Sequence, residues 1–483
     1  MNNILQLKPI KNKKMTKKTN KLFYLFIFFQ LCVFTIHAQS FISYNEYISS
    51  LKTNFPLTKL AENLSLQGNY QLNAARGNYD PTINAYHENK FYSGKNYFSV
   101  AHAEFKQPIF TNQYLVAGWD YGQGNFVDQS STTPNSGTPF VGVEASILQG
   151  LLFDKRRAEV LKARGYKDYL DAEKKQIINQ ILFDASIHFT DFAYAEKKLL
   201  LYQFFIKLAI DRYKGLIDLS SVGERPAIDT VEAALLFQGR LLEFQSASID
   251  NQKALNKLMN FYWNDNNLPM PLDTAMIIKD SIEVYFEKAR QLVVLELQSD
   301  SCANPMIEKY IANQKILKVD KRLKAELIKP KLDVKYNFLS TSSNPYSTDY
   351  TINNYKWGAK FSMPLFFRTS VNDFKISKIR LKNNEYELLN KGNEISLKLK
   401  TLKQVISMTA RQVMAAEKNV AFSKQLLQAE KLKFENGESS LFLLNTRETK
   451  WLESELKLAE YRAKFIKLYF ELIYTKGDVN YQL

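Results

Sequence analysis

Cysteine and histidine are scarce in this chain, whose 483 residues include two cysteines and four histidines. Cys32 lies in an N-terminal segment that we expect to be removed, so Cys302 has no partner for an intrachain disulfide. The remaining histidines, His87, His102 and His188, show no metal-ligand spacing such as H-E-x-x-H. A phosphate-binding loop, a Gly-x-Ser-x-Gly elbow and a paired-carboxylate dyad are also missing. We therefore expect that the protein is not an enzyme and has no catalytic residue, metal or cofactor. The sequence leaves open the alternative of a binding site assembled from residues distant in sequence.

Long apolar runs are absent after residue 38, so the sequence predicts no membrane-spanning helix, which needs ~20 consecutive apolar residues. The one long apolar run, residues 22–36, follows a lysine-rich segment and precedes the small residue Ala38. This order predicts a signal peptide over residues 1–38, and hence export. The alternative, an uncleaved anchor helix, is disfavoured by the shortness of the run. The net charge is +16, but the basic residues are otherwise scattered, which indicates solvated helix surfaces and no nucleic-acid partner.

The chain repeats one structural plan twice. Prolines 25 residues apart occur in two pairs, and the pairs are separated by 249 residues: Pro56 and Pro81, then Pro305 and Pro330. Two short matches share a second offset of 216: residues 142–146 with 358–362, and residues 229–232 with 445–448. The difference between the offsets indicates 33 extra residues in the first copy, between Pro81 and Gly142. We predict a first structural repeat at 39–270 and a second at 271–483.

Each copy is predicted to contain a helix, then strands, then a pair of long helices. The initial helices are predicted at 44–78 and 282–328, each ending before a proline. Alternation of apolar and polar residues predicts strands within 81–149, near 82–91, 97–106, 113–121 and 139–148, and a β-hairpin at 331–364. Proline-free segments with helical periodicity predict the long helical pairs at 151–265 and 368–476.

Apolar residues recur every seven positions in the helical pairs, which predicts supercoiled helices. On the second helix of each pair these positions superpose at the offset of 216: Ile228, Leu235, Leu242 and Ile249, then Leu444, Trp451, Leu458 and Phe465. A single helix over residues 152–222 would be roughly 105 Å long at ~1.5 Å per residue, which is typical of a rod or a tube wall. The strands that correspond between the two copies, near 82–91 and 139–148 in the first and within 331–364 in the second, make two hairpins per chain. Two hairpins cannot close a membrane barrel, whose smallest common size is ~8 strands. The strands must then be shared among subunits, and three chains would give twelve.

The sequence resembles the TolC family of outer-membrane efflux proteins throughout its length after the leader. The resemblance is carried by Ala75-Arg76 before Pro81, by Gly358-x-x-x-Ser362-x-Pro364-Leu365-Phe366, by Gly437-Glu438-x-Ser440-Leu441-Phe442 and by Asn445-x-Arg447-Glu448. It implies a homotrimer with a twelve-stranded β-barrel among the lipids of the outer membrane and an α-helical tunnel in the periplasm. Such a duct exports small molecules, drugs, ions or proteins together with a periplasmic adaptor protein and an inner-membrane transporter.

The resemblance also indicates a gate at the tips of the helical pairs, near residues 223–229 and 437–445. Glycine suits the end of a helix, and an acidic or amide side chain at the start of the next helix can cap it or face its dipole. Asp229 matches an aspartate that helps to latch the closed end in this family, whereas the usual tyrosine partner is Phe434. The positions of the family's acidic constriction are occupied here by Leu443 and Thr446, neither of which is acidic. We therefore expect Leu443 to narrow the opening instead. The candidate gate and adaptor residues are Gly223, Asp229, Phe434, Gly437, Leu443, Asn445, Arg447 and Glu448.

Within this set, the adjacent residues Arg447 and Glu448 are interpreted as a salt bridge at the tip or as an adaptor contact. The alternative function for the whole chain is a periplasmic coiled-coil adaptor or scaffold without channel activity. Adaptors have one helical hairpin and a lipoyl-like β domain, so the duplication of strands plus helical pair argues against that alternative.

Overall fold

A computed structural model describes residues 41–109, 112–266, 268–270, 277–298, 304–342, 349–479 and 481–483. The predicted signal peptide and Cys302 lie outside these residues. The described α-helices are α1 (Tyr44–Asn54), α2 (Pro56–Arg76), α3 (Lys155–Ser221), α4 (Ala227–Met259), α5 (Ile282–Gln298), α6 (Pro305–Glu326), α7 (Arg368–Glu435) and α8 (Leu441–Lys476). The described strands are β1 (Phe41–Ile42), β2 (Thr82–Tyr92), β3 (Lys95–Pro108), β4 (Gln113–Gln123), β5 (Thr138–Ser146), β6 (Ile277–Ile278), β7 (Lys331–Ser340) and β8 (Tyr350–Ser362).

The helices predicted at 44–78 and 282–328 are each divided into two in the structure, which corrects those predictions. Phe55, between α1 and α2, has an extended backbone (φ −69°, ψ 128°), and Pro56 begins α2. Asn304 is likewise extended (φ −65°, ψ 120°), and Pro305 begins α6. Proline has no N–H to donate into a helix and disfavours helical geometry in the residue before it, so each proline starts a new helix instead of continuing the old one.

Six strands form one antiparallel sheet in the order β2-β3-β4-β5-β7-β8. The expectation of two hairpins, and hence four strands per chain, is wrong. The extra residues of the first copy supply β3 and β4, which pair with β2 on one side and with β5 on the other. The inserted hairpin therefore lies within the sheet, because both of its strands find backbone partners there.

The long helices form one wall below the sheet. Near the sheet the helices pack in the order α2, α3, α6, α7, and farther away in the order α4, α3, α8, α7. Helices α3 and α7 have 67 and 68 residues and belong to both halves. At ~1.5 Å per residue each is roughly 100 Å long. Among the described helices, none is both long and apolar enough to cross a membrane.

An aromatic core lies where α1, α5 and the last residues of the chain pack on the middle of α3 and on the C-terminal half of α8. The ring of Tyr44 stacks on Phe470 with centroids 5.4 Å apart and meets the edge of Phe189 at 5.2 Å. Tyr481 donates a hydrogen bond of 2.8 Å to Oδ1 of Asn179 on α3. These contacts join the two ends of the described chain to the centre of the wall.

Glu196 on α3 is a half-buried carboxyl group in this region, and we expect it to make stability depend on pH. Burial raises its pKa to about 7, although the backbone N–H of Ile278 donates to the carboxylate and opposes the shift. The folded state therefore binds the proton more tightly than the unfolded state does. The free energy of unfolding should fall as the pH rises from about 4.5 to about 7, by about 1–2 kcal/mol after allowance for the partial exposure of the carboxyl.

Thermal unfolding of the full-length protein in detergent tests this prediction. Glu196→Gln should be more stable than the wild type at pH 8, and the two melting temperatures should converge at pH 5. The exposed Glu62 on α2 provides the control, since Glu62→Gln should follow the wild type at both values. A Glu196→Gln variant whose melting temperature is offset equally at both pH values would refute this assignment.

Candidate functional site

The turns that join the two helices of each long pair have the same backbone geometry. Gly223 and Gly437 lie in the left-handed region, with φ of +81° and +78°. In the first turn, the N–H of Glu224 donates to the carbonyl of Leu219 at 3.0 Å. In the second turn, the N–H of Glu438 donates to the carbonyl of Lys433 at 2.8 Å. A Cβ at either glycine would meet no atom within 4 Å, so the residue is needed for its backbone conformation and not for space.

The starts of the returning helices differ from the predicted caps. Ser440 caps α8, because its hydroxyl accepts from the N–H of Leu443 at 3.4 Å. Asn445 lies beyond the first turn of α8, too far along the helix to cap it. Asp229 lies in the first turn of α4, where its charge suits the helix dipole, but α4 has no side-chain cap.

A buried polar network joins the two helical pairs near these tips. Arg212 on α3 forms an ion pair with Glu448 on α8, and its Nη1 donates to Oδ1 of Asn445 at 2.9 Å. Nδ2 of Asn445 in turn donates to Glu232 on α4 at 3.0 Å. The Glu448 side chain is fully buried, and within the described residues its Oε1 has no hydrogen-bond partner. The positive charge of Arg212 therefore offsets most of the cost of burying this carboxylate.

A second buried arginine, on α4, also joins the two helical pairs, at a position farther from the tip. Nη2 of Arg240 on α4 donates to the hydroxyl of Thr449 on α8 at 2.8 Å, and Nη1 donates to Glu243 at 2.8 Å. Sequence reasoning missed both Arg212 and Arg240. Their signal was a cationic side chain within a helical apolar pattern, but their partners on α8 lie more than two hundred residues away in sequence.

Arg447 and Glu448 are adjacent in sequence but contact different helices. Nε of Arg447 lies 3.7 Å from Glu430 on α7, the first helix of its own pair. Glu430 also accepts from the hydroxyl of Ser439 at 2.5 Å. One residue of the predicted tip pair thus links α7 to α8, and the other links α8 to α3.

The two predicted apolar gate residues have different surroundings. The guanidinium of Arg225 lies 4.5 Å from the ring centroid of Phe434, and Nη2 also reaches the Phe434 carbonyl at 3.4 Å. The cation therefore comes from the turn of the other helical pair. Leu443 stays 42% exposed, next to Phe442 at 65%, so an apolar surface faces away from the chain at this tip.

The sheet has one apolar face and one charged face, because directly paired residues on neighbouring strands share a face. The apolar face carries exposed side chains: Ile83, Phe105, Leu115, Val141, Val143, Tyr355, Trp357 and Phe361. On the opposite face Glu144 forms ion pairs with Lys106 and with Lys335, the latter at 2.7 Å. Lys335 also reaches Glu104 at 3.5 Å, across three strand spacings, so the charged face is concave. Within the described ranges, no group of three or more His, Cys, Asp or Glu side chains is arranged to hold a metal ion.

Among the described residues, neither lateral edge of the chain has a partner element. Strands β2 and β8 are the two ends of the sheet. Below it, the repeating apolar residues of α4 are exposed: Ile228 by 69%, Leu235 by 74%, Leu242 by 67% and Ile249 by 56%. Their equivalents on α8 are covered within the chain, with Leu444 at 4%, Leu458 at 6% and Phe465 at 2% exposure. Trp451 of the α8 set packs on Phe205 of α3, with ring centroids 5.0 Å apart.

No protein-family model matches the sequence, and no curated protein matches it. Solved structures do match the fold. The CmeC outer membrane channel of Campylobacter jejuni superposes with a TM-score of 0.62 at 12% identity, covering 91% of this chain and 87% of that one. The open MtrE outer membrane channel of Neisseria gonorrhoeae gives 0.60 at 13% identity, covering 90% and 88%. The outer membrane protein VceC of Vibrio cholerae gives 0.61 at 11% identity, covering 90% and 96%.

This chain has the TolC-type channel fold. The similarity extends over nine-tenths of the chain, so it includes both the sheet and the long helical pairs. The TolC-type fold predicted from the repeat and the tip motifs is confirmed. At 10–13% identity the similarity concerns the fold, and the TolC-type fold by itself assigns no role to the tip residues.

Proposed function

We propose that this protein is an outer-membrane efflux duct, in which three copies enclose a water-filled passage from the cell surface into the periplasm. The observation that carries this proposal is the exposed apolar seam on α4, together with its buried equivalent on α8. In the repeat, α7 corresponds to α3. The seam of α4 would therefore pack on α7 of the next copy, as α8 packs on α3 within one chain. Contacts of this head-to-tail kind form a ring when the rotation between neighbouring copies closes, as we propose for three copies here.

The edges of the sheet, and of the helices next to it, support the same ring. Strand β8 of one copy can pair with β2 of the next, which would leave no free sheet edge. Below the sheet, α2 and α7 are the two outer helices of the wall, and both expose apolar side chains that could meet between copies. Those of α2 are Leu57, Leu60, Leu66 and Tyr70, and those of α7 are Leu389 and Leu397. We propose three copies because the resemblance to the TolC family implies a homotrimer. With six strands in each copy, we propose a closed barrel of eighteen strands in place of the twelve expected from sequence.

The two faces of the sheet support insertion into the outer membrane. In a membrane barrel every backbone group is paired, apolar side chains face lipid and polar side chains face the lumen. The exposed apolar face of the sheet would contact lipid, and the concave face with Glu144 and Lys335 would contact water. A coiled-coil adaptor or scaffold would have no use for such a face, so we favour the duct.

Export would be passive, with energy supplied by an inner-membrane transporter reached through a periplasmic adaptor protein. The tips of the helical pairs are the proposed gate and adaptor surface. Arg212 and Glu448 would hold the pairs together when the end is closed, and Leu443 would narrow the opening. Asp229, Asn445 and the turn glycines would shape the surface that the adaptor contacts.

Reconstitution of the full-length protein in planar bilayers tests the proposed function. We expect discrete conductance steps from a species with the mass of a trimer in detergent. We also expect Ala85→Lys to reduce the amount of trimer in the outer membrane, because a lysine on the lipid-facing side of a strand costs about 2–4 kcal/mol at mid-membrane and less near the interface.

The adjacent residue provides the matched control. Asn84 lies on the same strand as Ala85 but on the charged face, opposite Glu104. Asn84→Lys should therefore assemble like the wild type. A protein that stays monomeric and soluble without detergent, or a trimer that never conducts, would contradict the proposal.

A further inference from the structure

Residues 124–137 connect β4 to β5, and we call this segment the strap. Its middle, residues 130–133, lies over the concave charged face of the sheet. It leaves β4 beside Gly122, whose N–H donates to the Thr133 hydroxyl at 3.0 Å and whose carbonyl accepts from the Thr133 N–H at 3.1 Å. At its far side, Nζ of Lys356 on β8 reaches the carbonyl of Ser130 at 3.4 Å. The strap is thus held at both sides of the concave face.

The contact with Lys356 shows how far the strap extends. Strands β5 and β7 lie between β4 and β8, so the contact spans three strand spacings, or about 14 Å along the sheet at ~4.8 Å each. A cavity of about 480 Å³ remains between the strap and the sheet. His102, Asp120, Phe140 and Asn337, which lie on the concave face, contribute to its lining.

The strap has its own internal structure. A 3₁₀ turn at Gln129–Ser131 is capped by Asp128, whose carboxylate accepts from the Ser130 N–H at 3.0 Å. Phe126 stacks on Tyr97 of β3, with ring centroids 4.7 Å apart. At the return, the indole N–H of Trp119 donates to the Ser136 carbonyl at 3.0 Å. A segment fixed at its start, middle and end keeps a constant shape.

We propose that the strap is a fixed constriction inside the duct, which sets the size limit for solutes at the outer end. This inference rests on the proposed function, because it assigns the concave face to the lumen. The part of the strap that lines the cavity, residues 130–133, carries only hydroxyl groups, and the sheet opposite contributes charged side chains such as Asp120 and Lys335. The constriction is therefore polar and admits hydrophilic solutes by size. The extra residues of the first copy thus widen the wall with two strands, and the segment that links β4 to β5 narrows the passage.

Two strand glycines on the concave face give a matched test. A Cβ at Gly122 would overlap the carbonyl oxygen of Ser131, whereas a Cβ at Gly358 on β8 would meet no atom within 4 Å. Gly122→Ala should therefore displace the strap, and Gly358→Ala should leave it in place. Lys356→Met removes the contact at the far side of the strap and leaves β4 unchanged. This variant decides the test if the Gly122→Ala protein fails to assemble.

The measurement is single-channel conductance with neutral polyethylene glycols of graded size added only on the side of the bilayer where the strap lies. Polymers on this side enter as far as the strap, so their size cut-off is independent of the helix tips. We expect both strap variants to admit larger polymers than the wild type does, because the passage at the strap is then wider.

The possible results separate this inference from the proposed function. A wild-type protein that never conducts would overturn the duct itself. A conducting wild type whose size cut-off is unchanged by Gly122→Ala and Lys356→Met would overturn the strap while leaving the duct intact. An equal effect of Gly358→Ala would also overturn it, because that glycine has no contact with the strap.

Discussion

Replacing Leu235 and Leu242 on α4 with lysine will leave the protein monomeric in detergent. Both leucines are more than two-thirds exposed in the single chain, and both belong to the seven-residue period that α8 buries against its own chain. Burying a leucine side chain contributes about 1.5–3 kcal/mol, so each interface loses about 3–6 kcal/mol and gains two charges that need solvent. Light scattering of the purified protein measures the change as the loss of trimer mass.

Leu200 is the matched control for this prediction. It is 55% exposed, a value close to those of the seam residues, but it lies on α3, which has α4 and α8 of its own chain on either side. Leu200→Lys should therefore remain a trimer. If the double variant on α4 still forms trimers, or if Leu200→Lys dissociates to the same extent, the seam is not the contact between copies.

Replacing Glu448 with alanine will loosen the helix tips and raise the conductance of the channel. Removing one partner of a buried ion pair costs about 3–5 kcal/mol, because the remaining charge stays buried without compensation. Arg212, whose side chain is 14% exposed, would be left in that position between the two helical pairs. Trypsin should then cleave faster near the turns, where Arg225 and Lys433 lie.

Two further variants separate a lost ion pair from a general disturbance of α8. Lys450 and Glu453 form an exposed pair on the same helix, with side chains 69% and 56% exposed, and such pairs contribute about 0–1 kcal/mol. Glu453→Ala should conduct and resist trypsin like the wild type. Replacing Arg212 and Glu448 together with methionine should recover much of the closed state, because no charge is then left unpaired. A double variant as open as Glu448→Ala would refute the role of the pair.

The duplication explains why the same apolar pattern is exposed on α4 and buried on α8. Helices α4 and α8 carry the same apolar period, but only α8 has the first long helix of the other repeat beside it. The α4 seam can be covered in the same way only by another copy of the chain. The ring is therefore an extension of a contact that the chain already makes internally, with Trp451 on Phe205 as its observed example.

The regular elements could be predicted closely from local patterns. Alternation with a period of two identified all six strands of the large sheet, and the seven-residue period identified the four long helices of the wall. Both patterns record which side of an element is apolar, and that side depends on local periodicity alone. The breaks at Phe55 and Asn304 were missed because apolar periodicity continues through them, although the prolines that follow marked them.

Pairings across the chain could not be predicted in this way. The sequence located the extra residues of the first copy, but only the structure shows that β3 and β4 enter the sheet and that residues 130–133 lie over its concave face. It likewise pointed to Glu448 without indicating Arg212, which comes 236 residues earlier. The amino-acid order alone thus determined the TolC-type plan of strands and long helices, because periodicity is a local property. Tertiary structure decided the six-stranded sheet, the strap and the buried pair at the tips, because those depend on which distant segments meet.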